Sequence, residues 1–162
     1  MRALQPVIGI NYGAKNNQRV ISSFKIFAVS STLMMLPFWL LMMISPEATL
    51  GLMFPDKIFD VASLSYFRIY MALLPILPVI FMMMTFYPAI NKGKPAAIIG
   101  IARQLVFYLP VMLILPGLFG VQWVYYGTFL IDVIITIWVL ILVKKEFNNL
   151  RNENKITVTR GG

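Results

Sequence analysis

The chain has 162 residues, of which 59% are hydrophobic and only 12% are charged. Because about a quarter of the residues of a soluble domain carry charge, this composition excludes a soluble protein and predicts an integral membrane protein. The chain contains no cysteine and no histidine, so it lacks the commonest metal ligands and the commonest general base. We therefore expect no enzyme, no catalytic residue, no metal site and no bound cofactor.

Four apolar segments predict an all-α, polytopic membrane helix bundle. They cover residues 26–45, 69–87, 96–116 and 121–143. Each is long enough to cross a hydrocarbon core of about 30 Å as a helix, and backbone exposed to lipid must satisfy its own hydrogen bonds. Residues 26–143 are therefore expected to form a four-helix transmembrane part.

The two flanking segments are polar. Residues 1–25 are interpreted as the end of a preceding helix followed by a cytoplasmic connector. Residues 144–162 are expected to form a solvated, partly disordered cytoplasmic tail with weak attraction to anionic lipid.

Four prolines lie inside the predicted spans: Pro37, Pro75, Pro78 and Pro110. Each removes a backbone hydrogen bond and can kink its helix. Proline is also commoner in membrane helices than in soluble ones, so these positions need no functional explanation.

The basic residues predict the orientation. Of the fourteen Lys and Arg residues, all but Lys57 and Arg68 lie before the first span, between the second and third spans, near the start of the third or after the fourth. The positive-inside rule then places both termini in the cytoplasm of a multi-pass inner-membrane protein. The net charge of +8 is thus explained by the lipid bilayer, and we expect no nucleic acid partner.

Arg103 is unusual because it lies eight residues into the third span. One interpretation is that its long side chain reaches the cytoplasmic headgroups. The other is that Arg103, Gln104 and Tyr108 line a cytoplasmic vestibule, where they bind a substrate anion or close a gate.

Asp132 is the only acidic or basic residue in the 23-residue fourth span. An ionised carboxylate at the centre of a bilayer costs about 2.5 to 3.5 kcal/mol on insertion scales, so such a residue usually faces a cavity, a partner or an ion. Tyr125, Thr128 and Thr136 lie seven and four residues before it and four after, which places all four on one helix face. We interpret this stripe as the lining of a polar cavity or an ion-coupling site; the alternative is a packing contact between helices.

Five segments of the chain form an ordered set of motifs. The first is a connector that contains Gln5, Pro6, Gly9, Asn11, Gly13 and Ala14. The later ones are Phe67-Arg68-Ile69-Tyr70, Asn91-Lys92-Gly93-Lys94-Pro95, Ala102-Arg103-Gln104 with Pro110, and Gly120, Trp123 and Asp132. This ordered set resembles that of multidrug and toxic compound extrusion (MATE) transporters of the bacterial multidrug branch, and the resemblance covers about residues 1–148.

The resemblance implies that these four spans are the last four of a twelve-helix transporter built from two lobes. It also implies export of small cationic or amphiphilic substrates by alternating access, coupled to H⁺ or Na⁺. The amino-terminal helices of such a transporter would be a necessary partner, since they are not in this sequence. The connector is expected to serve helix packing and lobe motion, with Gly9 and Gly13 allowing close backbone approach and Gln5 and Asn11 satisfying freed backbone groups.

Three functional hypotheses follow. The chain is part of a multidrug exporter that is inactive without the other helices, a stand-alone four-span protein that forms an oligomeric transporter or channel, or an inert membrane fragment. The substrate and the coupling ion are not fixed by the sequence, because Asp132 with Thr128 and Thr136 could bind H⁺ or coordinate Na⁺.

Overall fold

A computed structural model describes residues 3–55 and 58–160, with side chains described up to Glu153. Asp56 and Lys57 lie outside the described residues. Eight α-helices and one π-helical segment follow each other: α1 Leu4–Gly13, α2 Asn17–Ile44, α3 Pro46–Met53, α4 Val61–Met71, α5 Leu77–Ala89, α6 Gly93–Ile101, the π-helical segment Ala102–Tyr108, α7 Leu109–Phe119 and α8 Trp123–Arg160. The described part of the chain is a bundle of helices, as predicted.

Three of the predicted spans are continuous helices that are long and apolar enough to cross a membrane. They are Asn17–Ile44, Gly93–Phe119 and Trp123–Glu153. The first begins inside the segment interpreted as a connector, because the Asn16 side chain accepts a hydrogen bond from the Arg19 backbone N–H and caps α2. The α2 helix therefore extends well beyond the apolar run that predicted it.

The second predicted span is not one helix, and this part of the prediction is wrong. It is divided into α4 and α5, with a series of turns at residues 72–76 between them. Pro75 lies in these turns and Pro78 lies in the first turn of α5, where proline's missing N–H leaves no donor unsatisfied. Side chains of α2 accommodate the break: the Trp39 indole donates to the Met71 carbonyl at 3.1 Å and the Thr32 hydroxyl to the Pro75 carbonyl at 3.2 Å.

The densest part of the core lies where α1, α2, α5 and α8 meet. Phe24 is in edge-to-face contact with Phe86 and Phe147, with ring centroids 5.2 and 5.4 Å away. All three rings are buried, as are Leu4 and Ile8 of α1. Because these residues come from four helices, they fix the relative positions of the elements at this end of the bundle.

The prediction of a partly disordered tail is wrong for residues 144–160, because α8 continues through Arg160; residues 161–162 lie outside the described residues. The first turns of this tail are solvated on one face only, where Lys144, Lys145, Asn148 and Asn149 are exposed. Glu146, Phe147 and Leu150 are buried, and the Asn17 side-chain amide donates to the Leu150 carbonyl at 3.0 Å. The apolar positions three residues apart give this stretch a buried helical face.

Lys92 and Glu146 form an ion pair that joins the turn before α6 to this part of α8. The pKa of Lys92 is raised, chiefly by its hydrogen bond to the Glu146 carboxylate, against the opposing effect of burial. Asn91 precedes it with a φ of 59°, a left-handed conformation that asparagine tolerates better than most residues. The turn therefore presents Lys92 directly to α8.

Candidate ion-coupling site

Three members of the polar stripe on α8 are buried. Asp132 is 6% exposed, Thr128 3% and Thr136 8%. Because they are four residues apart on one helix, their side chains lie above one another on the same face. The hydroxyl oxygens of Thr128 and Thr136 have no hydrogen-bond partner among the described residues. A buried hydroxyl without a partner is unfavourable, so this face offers two oxygen atoms that the described residues leave unpaired.

Arg103 reaches Asp132 from the neighbouring π-helical segment. Its Nη2 lies 3.0 Å from Asp132 Oδ1 and its Nε 3.3 Å from the same oxygen. The Arg103 side chain is 20% exposed and that of Asp132 is 9% exposed. The two charges neutralise each other within a largely dry environment, where an isolated charge would be strongly unfavourable.

An aromatic ring supports the Arg103 guanidinium from α5. The guanidinium carbon lies 5.6 Å from the centre of the Phe81 ring, within the range of a cation–π interaction. Arg103 is therefore held by one charged and one aromatic contact, both from neighbouring helices.

Tyr125, the fourth member of the stripe, lies in an aromatic cluster. Its ring stacks on Tyr66 at 5.4 Å with 4° between the planes, and meets Tyr70 edge-on at 6.3 Å. A cavity of about 240 Å³ borders these rings. Tyr70 also lies near Tyr108, so the aromatic cluster reaches the π-helical segment.

The vestibule residues are not all brought together. Arg103 and Tyr108 are half-buried and face α8 or α4, whereas Gln104 is exposed. The structure thus places Arg103 against Asp132, a contact that neither interpretation of Arg103 included. One signal could have found it: an acidic and a basic residue within adjacent apolar spans are expected to pair.

The connector residues lie in or beside α1, away from Asp132. Asn11 donates to the Val7 carbonyl at 2.8 Å within its own helix. A Cβ added at Gly9 would lie 3.6 Å from the Ala89 carbonyl oxygen of α5, whereas one at Gly13 would meet nothing within 4 Å. A Cβ at Gly9 would thus make an ordinary van der Waals contact with α5, and neither glycine is needed for an approach closer than alanine would allow. Three other connector residues are exposed: Gln5, Pro6 and Ala14.

A family comparison identifies the fold and the kind of protein. The MatE family model matches residues 1–114. The chain belongs to the MatE family. With its three membrane-length apolar helices, it is a membrane protein of a transporter family. No curated protein matches the sequence.

Two solved MatE-type structures share the fold. One is described as the inward-facing conformation of a multidrug resistance MATE family transporter of the MOP superfamily, with a TM-score of 0.77, 18% identity and coverage of 93% of this chain and 35% of that chain. The other is the outward-facing conformation of such a transporter, with a TM-score of 0.77, 17% identity and coverage of 93% and 34%. The chain thus spans about a third of the length of the transporters that it matches.

Proposed function

We propose that this chain is part of a cation-coupled multidrug exporter in the inner membrane, with both termini in the cytoplasm. It exchanges H⁺ or Na⁺ for small cationic or amphiphilic compounds by alternating access. The observation that carries this proposal is a buried carboxylate, Asp132, between the unpartnered hydroxyls of Thr128 and Thr136. This combination supports a site that binds and releases a small cation.

The chemistry of coupling follows from the cost of a buried charge. An Asp132 carboxylate needs a positive partner in a medium of low dielectric constant, which Arg103 provides in this structure and which a bound cation would have to provide whenever Arg103 is elsewhere. A proton would neutralise it directly, whereas Na⁺ would need several oxygen ligands, of which Asp132 and one of the two threonine hydroxyls could be part. A bound cation stabilises the transporter conformation for which it has the higher affinity. If that conformation has a lower affinity for the substrate, cation binding promotes substrate release.

Further helices of the same transporter are the proposed partner. Large apolar side chains are exposed on the outer half of α2 and on α7, among them Leu33, Met34 and Leu113. These faces suit contact with lipid or with other helices. We expect the chain to transport only when the remaining helices of a MatE transporter are present.

Drug-efflux measurements in a bacterial host without its own multidrug exporters test the proposal. The chain is expressed alone and with the remaining helices, and efflux of a fluorescent lipophilic cation is followed. Asp132→Asn is expected to abolish efflux while membrane insertion stays normal. Glu146→Gln is the matched control, because Glu146 is also a buried acid of α8 with a basic partner but lies fourteen residues away.

Normal efflux by the Asp132→Asn variant would contradict a coupling role. Efflux by the chain alone would instead favour the second hypothesis, an oligomeric four-span transporter, which the exposed apolar face of α2 also suits. The absence of efflux under every condition would leave the inert membrane protein as the best description.

A further inference from the structure

Arg103 contacts only one of the two carboxylate oxygens of Asp132. Nε and Nη2 of Arg103 both donate to Oδ1 of Asp132. In the usual bidentate pair, each nitrogen would donate to a different carboxylate oxygen. The guanidinium therefore does not engage Oδ2. It also leaves both neighbouring hydroxyls, those of Thr128 and Thr136, without a partner.

The ion pair between Lys92 and Glu146 provides a comparison on the same helix. The buried hydroxyls without a partner in the described chain are both beside Asp132, and none lies near Glu146. A guanidinium has only donors, so it makes little use of a set of oxygen atoms. The surroundings of Asp132 thus contain more cation ligands than its present partner uses.

The segment that carries Arg103 has an unusual backbone. Residues 102–108 are π-helical, and such wide turns often occur at functional sites. Pro110 follows in the first turn of α7 and has no N–H to donate to the carbonyl four residues earlier. The wide turn can therefore form without the loss of a regular α-helical hydrogen bond at that position.

Two close contacts fix the helices on either side of the π-helical segment. A Cβ added at Gly100 would lie 2.9 Å from Met84 Cε, and one at Gly127 would lie 2.6 Å from Val111 Cγ1. The first contact joins α6 to α5 and the second joins α7 to α8. Since one residue corresponds to roughly 100° of α-helical rotation, a shift of the wide turn by one residue along this segment can rotate Arg103 while the total winding of the helix, and hence both contacts, stay unchanged.

We propose that Arg103 is a tethered competitor for a cation site at Asp132, to which either Thr128 or Thr136, each one helical turn away, adds a hydroxyl oxygen. A monovalent cation binds there when the π-helical segment withdraws the guanidinium, and Arg103 returns when the cation leaves. The carboxylate is thus neutralised at every stage. This inference rests on the proposed function, because it assigns Asp132 to cation binding.

Sodium protection of Asp132 from a carboxyl reagent tests the inference. The full chain is reconstituted in nanodiscs of neutral lipid and treated with dicyclohexylcarbodiimide at increasing NaCl, with choline chloride keeping the ionic strength constant. Mass spectrometry measures the modification at Asp132. The Asp132→Asn variant confirms the assignment of the modified peptide.

Arg103→Gln is expected to lower the Na⁺ concentration for half-protection by roughly 10- to 100-fold, because a site that is free in only about 1 to 10% of molecules binds its ligand correspondingly weakly. Arg103→Lys keeps the charge and is expected to stay closer to the unsubstituted chain. Lys92→Gln, which breaks the other ion pair of α8, is expected to change nothing at Asp132.

The inference would be overturned if the Na⁺ concentration for half-protection were the same in Arg103→Gln and in the unsubstituted chain. It would also be overturned if Na⁺ did not protect Asp132 in Arg103→Gln at all. If Arg103→Gln does not fold, which gel filtration would reveal, Arg103→Met replaces it, and a Na⁺ concentration for half-protection equal to that of the unsubstituted chain would overturn the inference.

The two proposals fail in different ways. Loss of efflux in Asp132→Asn together with unchanged Na⁺ protection in Arg103→Gln would retain the coupling role and reject the competitor. Normal efflux in Asp132→Asn together with the expected shift in protection would retain the competitor at a cation site that does not drive transport.

Discussion

Substitution of Gly127 by alanine is expected to destabilise the contact between α7 and α8. The added Cβ would lie 2.6 Å from Val111 Cγ1 and 2.9 Å from Leu115 Cδ2, whereas favourable carbon–carbon contacts lie at about 3.5 to 4.0 Å. Val111 cannot easily turn away, because a β-branched side chain has one strongly preferred rotamer in a helix. The two helices must therefore separate by roughly 1 Å locally, and such overpacking typically costs about 1 to 3 kcal/mol.

Gly117→Ala is the matched control for Gly127→Ala. Both glycines are helical, so both variants gain up to about 1 kcal/mol of helix propensity. A Cβ at Gly117 would meet nothing within 4 Å, so that variant is expected to be stabilised. The difference between the two variants isolates the steric effect and should be about 1 to 3 kcal/mol.

Reversible unfolding in mixed micelles measures this difference. The chain has three tryptophans, whose fluorescence follows the titration with dodecyl sulfate. Gly100→Ala gives an intermediate case, because its close neighbour is the end of the flexible Met84 side chain. If Gly127→Ala proved as stable as Gly117→Ala, the close packing of α7 against α8 would be refuted.

Three further substitutions test the end of the bundle where α1, α2 and α8 meet. Asn17→Ala removes the donor to the buried Leu150 carbonyl and should cost about 1 to 3 kcal/mol of unfolding free energy; the unchanged midpoint of the dodecyl sulfate titration would contradict this. Phe24→Ala removes two edge-to-face contacts and should lower the unfolding free energy by about 3 to 5 kcal/mol. A loss near zero would contradict the burial of this ring. Lys92→Met leaves the buried Glu146 carboxylate without its partner and should lower the midpoint near neutral pH. The pKa of Lys92 in the folded chain is raised above 10.5, so the charged Lys92 stabilises the folded state below pH 10.5. This stabilisation is lost as the pH rises through the folded-state pKa. The difference in midpoint between Lys92→Met and the unsubstituted chain should therefore shrink at high pH.

Local patterns in the sequence predicted the spans and the buried face of α8. A four-residue spacing places Thr128, Asp132 and Thr136 on one face of any helix, so their common burial could be read without a structure. The apolar length of the spans likewise predicted the three membrane-length helices of the described chain, because length and composition suffice for that property; the second predicted span is the one that is divided.

Contacts between helices were not predictable in the same way. The pair between Arg103 and Asp132 depends on how two helices are rotated against each other, which a single sequence does not specify. The break at residues 72–76 depends on hydrogen bonds from α2, and the π-helical segment has no known period in its sequence. The tail was misinterpreted because its many polar residues obscured the helical spacing of Phe147 and Leu150.

The break between α4 and α5 has a consequence for the order of membrane insertion. The two helices have 11 and 13 residues, or roughly 17 and 20 Å at 1.5 Å per residue, so each is too short to cross the bilayer by itself. The carbonyls exposed at the break are bonded by Thr32 and Trp39 of α2, which is synthesised earlier. During biogenesis, α2 is therefore already in the membrane when α4 and α5 enter the lipid. Its side chains can bond the carbonyls at the break, so α4 and α5 can be inserted together although neither is stable across the bilayer alone.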